Sequence, residues 1–185
     1  MVPDETARRA DGTRLRPALP ADAETIARLH IESWRSAYRR ELSAAFLLGL
    51  DIAGRTTDWA EHLRKGVTAM IAEVDGEPLG FVACGPSRNA RVALPEWEIY
   101  NLHVAPGVKG RGIGSRLFDA AAEAGVRAGA GQLGLWVFEG NTAARAFYER
   151  KGMRLGPERE EHFPAPDEKV IERRYLMPLG PFPRA

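Results

Sequence analysis

Apolar positions along the chain change their period in a regular order, and each change marks an element. Residues 14–19 alternate enough for a first strand. Pro20-Ala21-Asp22 then reads as a helix start, with Ile26, Leu29, His30 and Trp34 on one face of a helix to about Arg35. Residues 36–50 and 54–64 predict one or two more helices, parted near Asp51. Residues 67–74 and 79–85 are strands on either side of Asp75-Gly76-Glu77-Pro78, a strong hairpin signal. A polar loop is expected over residues 87–95, then a buried strand over residues 99–104, which Pro106 must end because it cannot donate to a ladder. Past a glycine-rich stretch, Ile113, Leu117, Ala120, Ala121 and Ala124 recur at helical intervals. Residues 133–138 give another strand, and residues 142–151 a helix closed by Gly152 at the C-cap. Residues 153–155 start a further strand, 157–167 read as a loop, and 170–177 as the last strand. No internal repeat or low-complexity tract interrupts this order.

Length and composition narrow the class. The 185 residues suit one domain with a sizeable core, and 44% hydrophobic with 28% charged residues is the balance of a globular chain. Residues 1–13 are polar and expected to fray, and residues 180–185 are a C-terminal tail, which leaves 14–179 as the domain. A net charge of +1 argues against a dedicated nucleic-acid surface. No apolar run approaches the ~20 residues of a membrane span, and the N-terminus has no hydrophobic signal core. Cys84 is the single cysteine, so a disulfide framework is excluded and a cytoplasmic setting is expected.

Between the buried strand and the following helix lies the stretch with most chemistry. Gly107, Gly110, Gly112 and Gly114 are interleaved with Lys109, Arg111 and Arg116. The first N–H groups of a helix have no partner within it, and the aligned peptide dipoles leave partial positive charge there. Glycines let several such N–H groups converge on one anion, so a phosphate or pyrophosphate is the natural occupant. The spacing fails the Walker pattern, because Gly112-Ile113-Gly114 stands where Gly-Lys-Ser/Thr is required. It also fails the dinucleotide pattern, since Gly110-x-Gly112-x-Gly114 is not G-x-G-x-x-G.

Lys109-Gly110-Arg111-Gly112-Ile113-Gly114 instead resembles the acyl-CoA loop of the GNAT superfamily of N-acetyltransferases, [R/Q]-x-x-G-x-[G/A], after a strand ending in valine and proline. Lys109 departs from the pattern at its first position, keeping charge but losing a planar fork. A second segment, Asn141-x-x-Ala144-x-x-Phe147-Tyr148-x-x-x-Gly152-Met153, resembles the family's N-x-x-A-x-x-[FL]-Y-x-x-x-G-[FM] run. Trp34-Arg35-Ser36-Ala37-Tyr38-Arg39 is similar to a W-R-x-x-Y-R run in one subgroup. The resemblance covers residues 14–179 and implies a single α/β domain with a mixed, twisted sheet of about six or seven strands flanked by helices.

The same resemblance implies direct transfer of an acetyl group from acetyl-CoA to an amine. Acetyl-CoA would lie against Leu102, His103 and Val104, the loop residues Lys109, Gly110, Arg111, Gly112, Ile113, Gly114 and Ser115, and Asn141, Ala144 and Phe147. Tyr148 would be the general acid, since a phenol is matched to a thiolate leaving group; packing against the sheet is its plainer role. Asn141 also suits the N-cap of its helix. A neutral amine needs a base, and the resemblance points to Glu98 acting through water, with Glu96 and Tyr100 in reserve. Strand alternation puts Glu96, Glu98, Tyr100, Leu102 and Val104 on one face unless a bulge alters the phase. Trp34 and Tyr38, an i,i+4 aromatic pair, and Tyr100 are candidate acceptor contacts; Trp97, Trp136 and Arg39 are weaker ones. His30, His62, His103 and His162 share no ligand spacing with Cys84 or a carboxylate pair, so no metal is expected. His103 and Cys84 read as packed residues rather than catalysts. The identity of the acceptor is open, as is oligomeric state, for which a homodimer is the family habit. Rival readings are a non-catalytic acyl-CoA sensor and a binder of some other nucleotide.

Overall fold

The computed structural model describes residues 12–88 and 95–180. The expectations for residues 1–11, 89–94 and 181–185 lie outside that range. Seven strands form one sheet in the order β1-β2-β3-β4-β5-β7-β6. They are β1 (Thr13–Pro17), β2 (Thr68–Val74), β3 (Glu77–Pro86), β4 (Glu96–Val104), β5 (Gln132–Phe138), β6 (Arg154–Ala165) and β7 (Glu168–Pro178). Every neighbouring pair is antiparallel except β4 and β5, which run parallel. The helices are α1 (Ala23–Ala37), α2 (Ala44–Gly49), α3 (Ile52–Arg64), α4 (Ile113–Arg127) and α5 (Thr142–Arg150).

Each face of the sheet carries its own core. Ile26, Ala27 and Leu29 of α1 and Trp59 and Leu63 of α3 pack on Ile71, Phe81 and Ala83. On the other face Ile113, Leu117, Phe118 and Ala121 of α4, with Tyr148 of α5, pack on Val82, Ile99, Leu133, Leu135 and Tyr175. Local signals set the ends of these elements. Asp51 caps α3 by accepting from the N–H groups of Ala53 and Gly54, at 3.1 and 2.6 Å. Asp75 and Gly76 both have positive φ, 53° and 81°, which is the hairpin turn whose twist matches the flanking strands.

Two departures from the sequence expectation matter. Residues 157–167 were expected to form a loop, but β6 runs to Ala165 and pairs with β7. Its Glu-Arg-Glu-Glu-His run, residues 158–162, is mostly exposed because β6 is the sheet edge, where charge discourages further pairing. Pro157 is tolerated where the β6–β7 register shifts, between Leu155 and Arg159. The second departure is the phase of β4. Ile99 pairs with Cys84 and Asn101 with Ala83, so Tyr100 is an extra, bulged residue. Past it the alternation inverts. Leu102 and Val104 join Trp97 and Ile99 against the α4 core, while His103 faces α1, hydrogen-bonded to Ser33.

The bulge coincides with a fork. Pairing of β4 with β5 runs from Glu96 opposite Gln132 to Ile99 opposite Leu135 and stops. Beyond it β4 stays with β3, and β5 stays with β7 as far as Phe138 opposite Glu172. A wedge opens between the two parallel strands.

Candidate active site

A cavity of about 650 Å³ fills this wedge. One wall is β4 from Ile99 to Val104, including Tyr100, Leu102 and His103. Beyond Ile99 the β5-facing edge of that backbone has no strand partner. Tyr100 is fixed by its hydroxyl, which donates to the Pro86 carbonyl at 2.5 Å, and by the Arg88 guanidinium stacked 3.8 Å over its ring.

The turn into α4 closes one end. Lys109, Gly110, Gly112, Ile113, Gly114 and Ser115 line the cavity; Arg111 does not. Gly110 and Gly112 take φ of 82° and 85°, left-handed values that strain any other residue, and this curls the chain into the helix. Gly112 is the N-cap, and no side chain caps α4. The first helical N–H groups are therefore left for a ligand. Lys109, Arg150 and Lys151 bring positive charge to this end, and Lys151 donates to Ser115 at 3.0 Å while pairing with Asp119.

Helix α5 supplies the facing wall with Asn141, Ala143, Ala144, Phe147 and Tyr148. The Asn141 side chain caps α5, accepting from the Ala144 N–H at 3.2 Å, and also lines the cavity. Tyr148 is 8% exposed, ringed by Phe118, Phe147 and Tyr175. Burial drives its pKa well above the ordinary phenol value. Its hydroxyl has no hydrogen-bond partner among the described residues.

The far end is aromatic. Trp34 and Tyr38 of α1 meet edge to face at 5.3 Å, and Tyr38 packs on Phe138 at 4.5 Å; Trp136 lines the same end. Burial lifts the Tyr38 phenol to about 12, opposed by a hydrogen bond with Asn141. His103 also lines the cavity. Burial holds its pKa down to about 3, so the imidazole is neutral at ordinary pH.

The expected bases fall in different places. Glu96 is committed to a buried ion pair with Arg174 and to the Gln132 amide at 2.8 Å. Glu98 is buried one residue before Ile99 and accepts from the Ser87 hydroxyl at 3.2 Å and the Arg88 N–H at 3.1 Å. It does not line the cavity. Glu172 does, although sequence reasoning passed over it. The available signal was strand alternation, which puts an acid two residues from buried Val170 on a core strand. Its partner at the fork, Phe138, is 34 residues away in sequence and is shown only by the pairing. Among the described residues no three His, Cys, Asp or Glu side chains converge as metal ligands would, and no helix is long and apolar enough to cross a membrane. Cys84 is buried in β3, and burial pushes its thiol pKa up.

Known proteins share both the sequence and the shape. The profile of the Acetyltransferase (GNAT) family matches residues 24–153. A probable N-acetyltransferase of Mycobacterium tuberculosis is 33% identical over 149 residues, covering 77% of this chain and 80% of the relative. An uncharacterized N-acetyltransferase of Archaeoglobus fulgidus is 32% identical over 149 residues, covering 76% and 92%. Among solved structures, a GCN5-related N-acetyltransferase from Rhodopseudomonas palustris superposes with a TM-score of 0.74 at 24% identity, over 91% of this chain and 97% of that one. The PaiA N-acetyltransferase from Thermoplasma acidophilum, solved with coenzyme A, gives 0.67 at 17% identity, over 87% and 97%. With the forked sheet and the glycine turn already in place, the match over residues 24–153 settles the family: this chain is a GNAT acetyltransferase.

Proposed function

We propose that this GNAT acetyltransferase takes acetyl-CoA into the wedge and passes the acetyl group directly to an amine. The wedge itself carries the reading: an opening between two parallel strands, with an uncapped helix N-terminus at one end and an unpartnered phenol in its wall. The residues present fit acetyl-CoA as substrate. Its pyrophosphate matches the N–H groups at the start of α4, with Lys109, Arg150 and Lys151 near them. Gly114 lies between Val104 and Phe147, where a Cβ would stand 3.5 and 3.8 Å from them, ordinary contact distances, so a small residue suits the position. Leu102 to Val104 offer unpaired backbone to the thioester oxygen, where negative charge grows during attack.

Bond making and breaking then need two proton positions. The N–C bond forms as the amine loses a proton, and the C–S bond breaks as the thiolate gains one. Glu98, buried next to Ile99 where the fork begins but outside the cavity lining, takes the amine proton through water. Tyr148 gives the thiolate its proton. Its raised pKa means that it enters the step as a phenol, with the proton in place, and it regains a proton from solvent after the thiol has left.

Thermal unfolding with acetyl-CoA, ATP and NAD at matched concentrations tests the ligand assignment. At a hundred times its dissociation constant, acetyl-CoA adds about 2.7 kcal/mol and raises the midpoint by about 5–10 °C. A shift with ATP or NAD in its place overturns the reading. Thiol release on adding primary amines then tests turnover, and binding without release favours a non-catalytic acyl-CoA sensor.

A further inference from the structure

The two ends of the wedge carry opposite charge. Lys109, Arg150 and Lys151 stand at the α4 end, whereas Glu172, among the described residues the one acid in the lining, is at the aromatic end with Trp34, Tyr38, Trp136 and Phe138. The Glu172 side chain is only 22% exposed. Among the described residues the basic side chain against it is His162, whose ring nitrogen lies 4.0 Å away and which is itself 47% exposed. Glu160, paired opposite it on β6, and Glu98 add like charge, so the site is not neutralised from behind. Glu41 adds more: its carboxylate packs on Gly140, with one oxygen buried and unpartnered, and its charge reaches Tyr38 together with that of Glu172.

A half-buried carboxylate with only one half-exposed imidazole at 4.0 Å is poorly compensated, and a cation arriving beside it recovers part of that cost. The aromatic rings around it add attraction for a cation. Coenzyme A, a polyanion, belongs at the basic end, so the cation belongs to the acceptor. It is not the reacting nitrogen. An ion pair with a carboxylate holds an amine in its charged form, and only the neutral form attacks.

We infer that Glu172 holds a second cationic group of the acceptor, and that the acceptor is a small aliphatic diamine or polyamine. One nitrogen is acetylated, forming N–C and releasing CoA thiol, while the other stays an ammonium at Glu172 between the aromatic rings. This rests on the acetyl-CoA reading above and names its acceptor class.

The test compares 1,4-diaminobutane with butylamine, its equal in length but with one nitrogen, for kcat and KM, using wild type, Glu172→Gln and Glu172→Asp. Acetyl-CoA binding by each protein, read as a midpoint shift, is measured beside them. Wild type should favour the diamine in kcat/KM by at least about tenfold. Glu172→Gln should raise KM for the diamine far more than KM for butylamine and so erase the preference, and Glu172→Asp should keep part of it. Equal use of both amines, use of neither, or a fall in kcat for both with Glu172→Gln overturns the inference; the last outcome marks Glu172 as a base. Failure of acetyl-CoA to shift wild type is a separate result, which removes the acetyl-CoA reading and the acceptor class with it.

Discussion

Tyr148 combines a ring that the core needs with a hydroxyl that the core does not use. Phe118, Phe147 and Tyr175 surround the ring, and the oxygen has no partner among the described residues. Tyr148→Phe should therefore leave the unfolding midpoint within a degree or two of wild type and preserve the acetyl-CoA shift. If the phenol supplies the leaving-group proton, kcat should fall by about a hundredfold or more with little change in KM. Unchanged kcat would reduce Tyr148 to packing. This residue was legible in the sequence because everything that marks it lies within one helix: Asn141, Ala144, Phe147 and Gly152 at fixed offsets. Glu172 was not, because its meaning depends on β7 lying beside β5, a long-range pairing that no local spacing encodes. The pairing of Glu96 with Arg174 was missed for the same reason, since a buried ion pair between residues 78 positions apart leaves no trace in either segment.

At the level of elements, α5 shows how one residue serves both structure and site. Asn141 accepts from the Ala144 N–H and faces the wedge. Asn141→Ala should cost about 1 kcal/mol from the lost cap, lowering the midpoint by about 2–4 °C in a chain of this size. Asn141→Ser should restore the cap. Kinetics on the pair separates the roles: if KM for acetyl-CoA stays high in the Ser variant while stability returns, the amide contacts the ligand as well. Element order was readable because periods of 2 and 3.6 alternate cleanly from Thr13 to Pro178. The bulge at Tyr100 was not readable, since β-strand periodicity cannot register one extra residue without its partner strand. Edge strand β6 was hidden by its own charge, which serves solubility and imitates a loop.

Across the whole molecule the sheet divides two cores, and the one under α1 and α3 encloses imidazoles. His30 stacks on His103 at 4.7 Å and accepts from the Trp59 indole N–H at 3.3 Å; His103 bonds with Ser33 at 3.0 Å. Burial holds their pKa values to about 2 and about 3, each below the 6.5 of a free imidazole. Above pH 6.5 neither folded nor unfolded chain protonates them, so their effect on stability is constant. Below it the unfolded chain takes up protons that the folded one refuses, and stability drops toward acid. The slope is about 1.4 kcal/mol per pH unit for each histidine, continuing until pH nears the folded values. Asp22 and Glu139, lowered chiefly by hydrogen bonds from Arg16 and Arg159, stabilise the fold above the ordinary carboxylate range, and lose that only below about pH 4. Glu172, raised by burial, works in the opposite direction and softens the loss slightly. The interval from pH 7 to 5 therefore reports the imidazoles. The wild-type midpoint should fall by about 10 °C across it, from about 4 kcal/mol lost at two sites. The His30→Gln/His103→Gln double variant should start lower at pH 7, having lost the stacked pair, yet change far less on acidification. A wild-type midpoint that stays level from pH 7 to 5 would mean that the two rings are not held neutral, and that this core admits water or charge.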